Sequence, residues 1–114
     1  MKRDASIYLK DILENIDKAV GFVGGMDYPE FAKDEKTFYA VVRCIEIIGE
    51  ASKNLPEPVK KEHPEIPWRD IAGMRDKAIH SYFGINPQRI WQVIKEDLPV
   101  LRPVIEKTFK KLKR

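Results

Sequence analysis

Apolar residues recur every three or four positions along most of the chain, which is the pattern of amphipathic helices. A first helix is predicted at about residues 4–23, because two glycines follow at 24 and 25 and stop it. A second helix is predicted at about residues 34–54. Its near-heptad apolar spacing suits lengthwise packing against a neighbour, so we expect it at the centre of the fold.

The second half of the chain also has helical periodicity, with proline at its breaks. Four prolines make residues 55–67 a loop, with one short helical turn at 57–62. A third helix is predicted from Pro67 to about residue 83. Asn86 and Pro87 start a fourth helix, which continues to about residue 112 with a kink at Asp97 and Pro99.

No stretch alternates strictly between apolar and polar residues, so the pattern predicts no strand. The expected fold is all-α, a compact up-and-down bundle of four to five helices. At 114 residues the chain has the length of one domain, so residues 1–114 are taken as a single unit. Function must then lie on one small scaffold or between copies of it.

The composition narrows the cellular setting. The chain is 43% apolar and 34% charged, and no apolar run approaches the roughly 20 residues that a membrane helix needs. Acidic residues interrupt the N-terminal stretch where a signal peptide would be apolar, so a cytoplasmic protein is expected. Cys44 is the only cysteine, and its apolar surroundings favour a buried structural thiol.

Charge alone says little about ligands. The net charge of +3 is mild, although the last eight residues, "KTFKKLKR", are strongly basic. Such a tail could contact phosphates, but a basic helix end is more often a solvated end that suits the helix dipole.

Three charged residues form a stripe on the otherwise apolar second helix. Arg43, Glu46 and Glu50 are spaced by three and four residues, so they share one side of the helix. The stripe either faces solvent or supports a site. In the second case Arg43 and Glu46 could pair, and Glu50 could orient a group on the third helix.

The stretch "GMRDKAIHSYFG" at residues 73–84 holds the candidate chemistry. Arg75 and Tyr82 are seven apart and share a helix face, while Asp76 and His80 are four apart and close enough to hydrogen-bond. Such a histidine is more often structural than catalytic. If it is catalytic, metal-free cleavage of RNA fits, because the RNA 2′-hydroxyl is the nucleophile and only an acid or base and a cation are needed.

Other chemistries lack their residues. Two histidines and one cysteine do not have the spacing of a zinc site, and His63 is most simply a surface histidine. Ser81 would point away from His80 in a helix, and no glycine-rich phosphate loop occurs. No metal or other cofactor is therefore expected.

The stretch "RDKAIHSY", residues 75–82, resembles the Arg-x4-His-x-Tyr signature of the HepT-like toxins in the HEPN superfamily. The similarity extends over nearly the whole chain, in the same order, through "RCIEIIGEASKNL", "IPWRDIAGMRDKAIHSYFGIN" and "IWQVIKEDLP". One position departs from the family pattern, since many relatives have asparagine where this chain has Asp76.

The resemblance implies an all-α HEPN bundle that forms a homodimer through the motif helix, with a composite ribonuclease site in the cleft between subunits. Arg75 and His80 would be the catalytic pair, supported by Asp76, Arg43, Glu46 and Glu50. The expected reaction is metal-independent RNA cleavage that leaves a 2′,3′-cyclic phosphate. The alternative is an inactive module that binds a nucleotide or docks a nucleotidyltransferase.

The resemblance also implies a role in a toxin–antitoxin system. The expected antitoxin is a minimal, MntA-like nucleotidyltransferase that transfers AMP from ATP to Tyr82. Adenylyl phosphate would add bulk and negative charge beside Arg75.

Overall fold

The computed structural model describes residues 4–73 and 86–113. All regular structure in those ranges is helical, which confirms the all-α prediction. The helices, numbered in chain order, are α1 (Ala5–Val23), α2 (Tyr28–Lys33), α3 (Glu35–Lys53), α4 (Glu57–Lys61), α5 (described at 68–73), α6 (Pro87–Gln92) and α7 (Leu98–Lys113), with a π-helical turn (Val93–Asp97) between the last two.

Short polar side chains start the helices where the sequence predicts their beginnings. The Asp4 carboxylate accepts a hydrogen bond from the Ser6 amide at 2.9 Å, and the Asp34 carboxylate accepts one from the Thr37 amide at 3.0 Å. Each bond satisfies an amide that has no partner within its helix. Gly24 ends α1 with a φ of 54°, a region that glycine enters at little cost.

The core is built around α1, which packs against both α3 and α7. The apolar periodicity of these helices places one face of each inside. Their most buried side chains are Leu9, Ile12, Ile16, Ala19, Val23, Val41, Ile45, Ile48, Leu101 and Ile105. The predicted central position of the second helix is consistent with this burial, although α1 is the helix that contacts both long neighbours.

Helix α2 was not predicted from the apolar pattern. Its start is a capping box, in which the Glu30 amide donates to Asp27 at 2.9 Å and the Asp27 amide donates to Glu30 at 3.1 Å. Phe31 is its single fully buried residue, with ring centroids 5.8 Å from Phe38 and 5.3 Å from Trp91. The short helix thus joins α3 to α6 through aromatic contacts.

The predicted kink near Asp97 and Pro99 is a π-helical turn. The Leu98 amide bonds the carbonyl of Val93, five residues back, instead of the carbonyl four residues back. Pro99 follows at once and lacks an amide hydrogen, so the carbonyl of Lys95 has no donor at the usual α-helical position. A π-helical turn here therefore loses few hydrogen bonds relative to a continuous α-helix.

A surface ion pair joins α1 to α7. The Arg102 guanidinium donates from Nε to Asp17 Oδ1 at 2.7 Å and from Nη2 to Asp17 Oδ2 at 3.1 Å, and it also donates to Glu106. The hydrogen bond from Arg102 lowers the pKa of Asp17, and Lys110 followed by Arg102 lowers the pKa of Glu106. The planar two-bond geometry holds the two helices in register.

We expect Arg102→Met to reduce stability at neutral pH and to have no effect in acid. A carboxylate whose folded-state pKa is lowered contributes stability above its ordinary pKa of about 4, and loses it as the pH falls through the lower folded value. Because the pair is exposed, the loss at pH 7 should not exceed about 1 kcal/mol. Urea unfolding at pH 7 and at about pH 2, below both pKa values, measures the free energy of unfolding under the two conditions.

The control for this variant is Lys10→Met, which removes an exposed pair with Glu14 whose nitrogen and oxygen are 3.8 Å apart. That variant should unfold like the parent protein at both pH values. A deficit in Arg102→Met that persists unchanged at about pH 2 would show that the arginine stabilises by packing and not by charge.

None of the helices in residues 4–73 and 86–113 has the length and apolar character that a membrane span requires.

Candidate active site

The motif residues Arg75, Asp76, His80 and Tyr82 lie outside the described residues. Helix α5 leads into this segment, and α6 begins just after it at Pro87. The described structure therefore shows how both ends of the motif segment are held, and what lies on the neighbouring helices.

Trp68, in the first turn of α5, fixes the beginning of this helix. Its indole nitrogen donates to the carbonyl oxygens of Lys60 at 3.2 Å and His63 at 3.1 Å. On either side of it, Ile66 and Ile71 are buried in the core. Hydrogen bonds and apolar packing thus hold α5 against the loop that follows α4, seven residues before the motif arginine.

His63 links the same loop to α7. Its Nε2 is 2.8 Å from the Thr108 hydroxyl, which itself donates to the carbonyl of Val104 at 2.8 Å. Since the hydroxyl proton is used in that bond, Nε2 must be the donor to Thr108. The side chain is only 20% exposed, so the expectation of a simple surface histidine is wrong.

The far end of the motif segment is held by the start of α6. The side-chain oxygen of Asn86 accepts a hydrogen bond from the Gln88 amide at 2.9 Å. The main-chain carbonyl of Asn86 accepts one from the Ile90 amide at 3.1 Å. Ile90 is buried in the core. The cap and this apolar anchor fix where the chain leaves the motif segment.

The charged stripe on α3 is mostly at the surface. Arg43 is 69% exposed and donates to Glu46 at 3.3 Å, so these two side chains pair as expected for their spacing. The Glu50 carboxylate accepts from Asn54 at 3.4 Å, within its own helix. A contact of Glu50 with the motif helix, and any part of these three residues in a site, stay predictions.

The family described as HepT-like, or ribonuclease HepT-like, matches residues 12–108. The chain belongs to the HepT-like ribonuclease family. A probable ribonuclease HepT of Thermococcus cleftensis is 49% identical over 110 residues, covering 96% of this chain and all of the relative.

Two further relatives are provisionally named as RNases. One from Methanocaldococcus jannaschii is 43% identical over 109 residues, covering 96% of this chain and 90% of its own. One from Caldanaerobacter subterraneus is 42% identical over 106 residues, covering 93% of this chain and 95% of its own. No solved structure matches the chain significantly.

The thiol in this HepT-like chain is structural. Cys44 is buried within α3, and burial raises the pKa of its thiol, which keeps it protonated and a poor nucleophile. In residues 4–73 and 86–113, no three histidine, cysteine, aspartate or glutamate side chains are grouped so as to hold a metal ion.

The basic tail is the exposed end of α7. Lys107, Lys110 and Lys111 are at the surface, and Lys110 pairs with Glu106 at 3.0 Å. The described residues thus fit the interpretation of a solvated helix end, although exposed lysines also remain accessible to phosphates.

Sequence reasoning missed the residues that fix the chain before the motif segment. The apolar pattern predicts the helix that begins at Pro67, but it gives no anchoring role to Trp68 or Thr108. A tryptophan beside a proline at a helix start could have indicated an anchored beginning, since a half-buried indole needs an acceptor. Nothing local in the sequence indicates that His63 contacts Thr108, 45 positions away.

Proposed function

We propose that this HepT-like protein is a metal-independent endoribonuclease and the toxic component of a toxin–antitoxin system. Membership of the HepT-like ribonuclease family over residues 12–108, with Arg75, His80 and Tyr82 of the signature all present, is the observation that carries the proposal. The RNase names of the relatives support the same reaction class.

In the proposed reaction the RNA supplies its own nucleophile. His80 removes the proton of the 2′-hydroxyl, the 2′-oxygen bonds the adjacent phosphorus, and the bond from phosphorus to the 5′-oxygen breaks. His80 then returns a proton to the departing 5′-oxygen. The products are a 2′,3′-cyclic phosphate on one fragment and a 5′-hydroxyl on the other.

Arg75 is the proposed cation for this reaction. Negative charge increases on the phosphoryl oxygens as the fifth bond to phosphorus forms, and a fixed guanidinium stabilises that charge more than it stabilises the starting phosphodiester. Its planar set of donors suits two phosphoryl oxygens at once. The anchored ends at Trp68 and Asn86 support the proposal, because catalysis of this kind depends on fixed positions.

We infer that two copies of the chain form the working site, with both motif helices lining one cleft. Arg43, Glu46 and Glu50 are proposed to support this site from α3, and the observed pair between Arg43 and Glu46 shows that these charges do satisfy each other. Asp76, next to the motif arginine, is proposed to hold the His80 ring.

Asp76 also sets the protonation of the proposed catalyst. A carboxylate near His80 favours the imidazolium, which is a better acid and a poorer base at neutral pH than a histidine beside asparagine. RNA cleavage would then be slower than in relatives with asparagine. More of His80 would be in the protonated form, which acts as the acid, and less in the neutral form, which acts as the base.

A nucleotidyltransferase antitoxin is the proposed regulator. The Tyr82 oxygen would attack the α-phosphate of ATP, forming a tyrosyl–AMP bond and releasing pyrophosphate. The product carries a negative phosphodiester next to the cation that receives RNA, so RNA and the modification would compete for Arg75.

The test uses the full chain, free of other proteins, with labelled single-stranded RNA in excess EDTA. We expect cleavage to continue without metal, and the downstream fragments to carry 5′-hydroxyls that polynucleotide kinase labels without prior phosphatase treatment. The matched control is the same oligonucleotide as DNA, which lacks the nucleophile and should stay intact.

Three results would contradict the proposed reaction. Cleavage of the DNA control would mean that the 2′-hydroxyl is not the nucleophile, and cleavage that requires added Mg²⁺ would mean that the reaction is not metal-independent. If no RNA is cut while a nucleotidyltransferase binds tightly, the protein is a docking module and the enzymatic proposal is wrong.

A further inference from the structure

An open groove of about 260 Å³ lies between the start of α5 and the helical stretch that runs from α6 through the π turn into α7. We name it the acidic groove. Apolar side chains from α3, α5 and α7 form its floor, among them Ile45, Ile48, Ile71 and Leu101. The described residues that line it do not include Arg43, Glu46 or Glu50, the supporting residues predicted on α3.

One wall of the acidic groove is a continuous helical face. Arg89, Val93, Glu96, Val100 and Val104 follow each other at three- or four-residue steps and all line the groove. At about 1.5 Å per residue, this wall is roughly 22 Å long, the length of a helix of four turns. A segment of that kind could lie along the groove over its full length.

The lip of the groove exposes apolar surface. Val100 is 73% exposed, the highest value among the large apolar side chains in the described residues, and Pro67 on the opposite wall is exposed as well. Both continue the apolar floor outward. An occupant that covers the lip therefore gains apolar contact beyond the floor itself.

The charges on the rim have the opposite sign to the chain as a whole. Four carboxylates line the groove, Glu65, Asp70, Glu96 and Asp97, against the single guanidinium of Arg89, which gives −3 for these five groups. Arg89 Nη1 is 3.7 Å from Asp97 Oδ2, and Glu65 Oε1 is 3.3 Å from His63 Nδ1. Asp70 and Glu96 make no ion pair with any described residue. Such a rim repels phosphates, so RNA is not its ligand.

We propose that the acidic groove docks a basic amphipathic helix of a partner protein. Apolar side chains at i, i+3 or i+4 and i+7 of that helix pack on the floor and on Val100, and its lysines and arginines lie beside Glu65, Asp70 and Glu96. The length of the wall, the exposed lip and the negative charge of the rim formed by the described residues all fit this one occupant.

The probe for the test is a fluorescent peptide of about 16 residues, with leucine at those helical positions and lysine at most others. Its control has glutamate in place of every lysine. With the full chain, fluorescence anisotropy should show the lysine peptide binding at least about tenfold more tightly than the glutamate peptide, and the difference should shrink as salt is added.

Paired variants separate the groove from general surface charge. Val100→Ser removes the apolar lip and Glu96→Lys reverses one rim charge, so each should weaken binding of the lysine peptide by about tenfold or more. The same changes at exposed positions outside the groove, Tyr39→Ser on α3 and Glu14→Lys on α1, should leave binding unchanged. Both groove positions are exposed, so the variants should fold as the parent does.

Equal binding of the two peptides, or equal losses in the groove variants and the controls, would overturn the proposal. A second copy of the chain as the occupant would also overturn it. That outcome would appear in analytical ultracentrifugation as self-association lost in Val100→Ser and kept in Tyr39→Ser.

Discussion

RNA cleavage should fall by about 10²- to 10⁴-fold when His80 is replaced by alanine, the range expected when a positioned acid or base is removed. Arg75→Ala should cost about 10²- to 10³-fold, as measured for the loss of one group that stabilises charge in a transition state. Both losses should appear in kcat, because the missing contributions act on the reacting phosphate and not on distant parts of the RNA.

Matched controls for these variants lie near the motif. His63→Ala removes the other histidine, which bonds Thr108 on α7, and Arg69→Ala removes an exposed arginine from α5. Both should keep kcat close to that of the parent protein when assayed well below their unfolding temperatures. Circular dichroism of all four variants checks that the helices remain.

Two further experiments distinguish the role of His80 from that of Arg75. Exogenous imidazole should restore part of the cleavage in His80→Ala and none in Arg75→Ala, since only the first variant lacks a proton carrier. Arg75→Lys keeps the charge and loses the planar pair of donors, so it should recover only part of the rate. Undiminished cleavage in both alanine variants would place the catalytic groups elsewhere.

Adenylylation of Tyr82 should abolish most of the RNA cleavage by the parent protein in the same assay. After incubation with a cognate minimal nucleotidyltransferase and ATP, intact mass should rise by whole AMP units and cleavage should fall by at least about tenfold. The physical reason is the added phosphate charge, which takes the contacts that Arg75 would make with RNA and repels the incoming phosphodiester.

Tyr82→Phe removes the acceptor oxygen, so this variant should gain no mass and keep cutting RNA in the presence of the nucleotidyltransferase and ATP. Tyr39→Phe is its control, because Tyr39 is 62% exposed and should not compete as an acceptor. Loss of modification in Tyr39→Phe, or AMP found on a different residue by peptide mass analysis, would remove Tyr82 as the regulatory target.

The long helices could be predicted from the sequence because their signals are local. Apolar spacing placed α1 and α3 within a residue or so of their observed ends, and the short turn after Leu55 was predicted at its observed place as α4. Helix α2 was missed because six residues carry too few apolar positions to show a period. Its capping box, Asp27 with Glu30 three residues later, was the available signal.

Contacts between distant positions could not be predicted from one sequence. Arg102 and Asp17 are 85 positions apart, and His63 and Thr108 are 45 apart, so neither pair has a spacing that marks it. By contrast, Arg43 and Glu46 share one helix at three residues' distance, and their pairing followed from that spacing. The candidate site divides in the same way, since its motif is local whereas its surroundings depend on how the bundle packs.

The π turn at Val93–Asp97 sets the rotational phase of the last third of the chain. One residue more or fewer in a turn rotates all that follows by about 100° about the helix axis. With the observed phase, Leu101 and Ile105 face the interior and Arg102 reaches Asp17. The number of residues in this turn thus governs three surfaces at once, the core side of α7, its junction with α1 and the wall of the acidic groove. A one-residue deletion there would exchange these faces even though every side chain of α7 stayed the same.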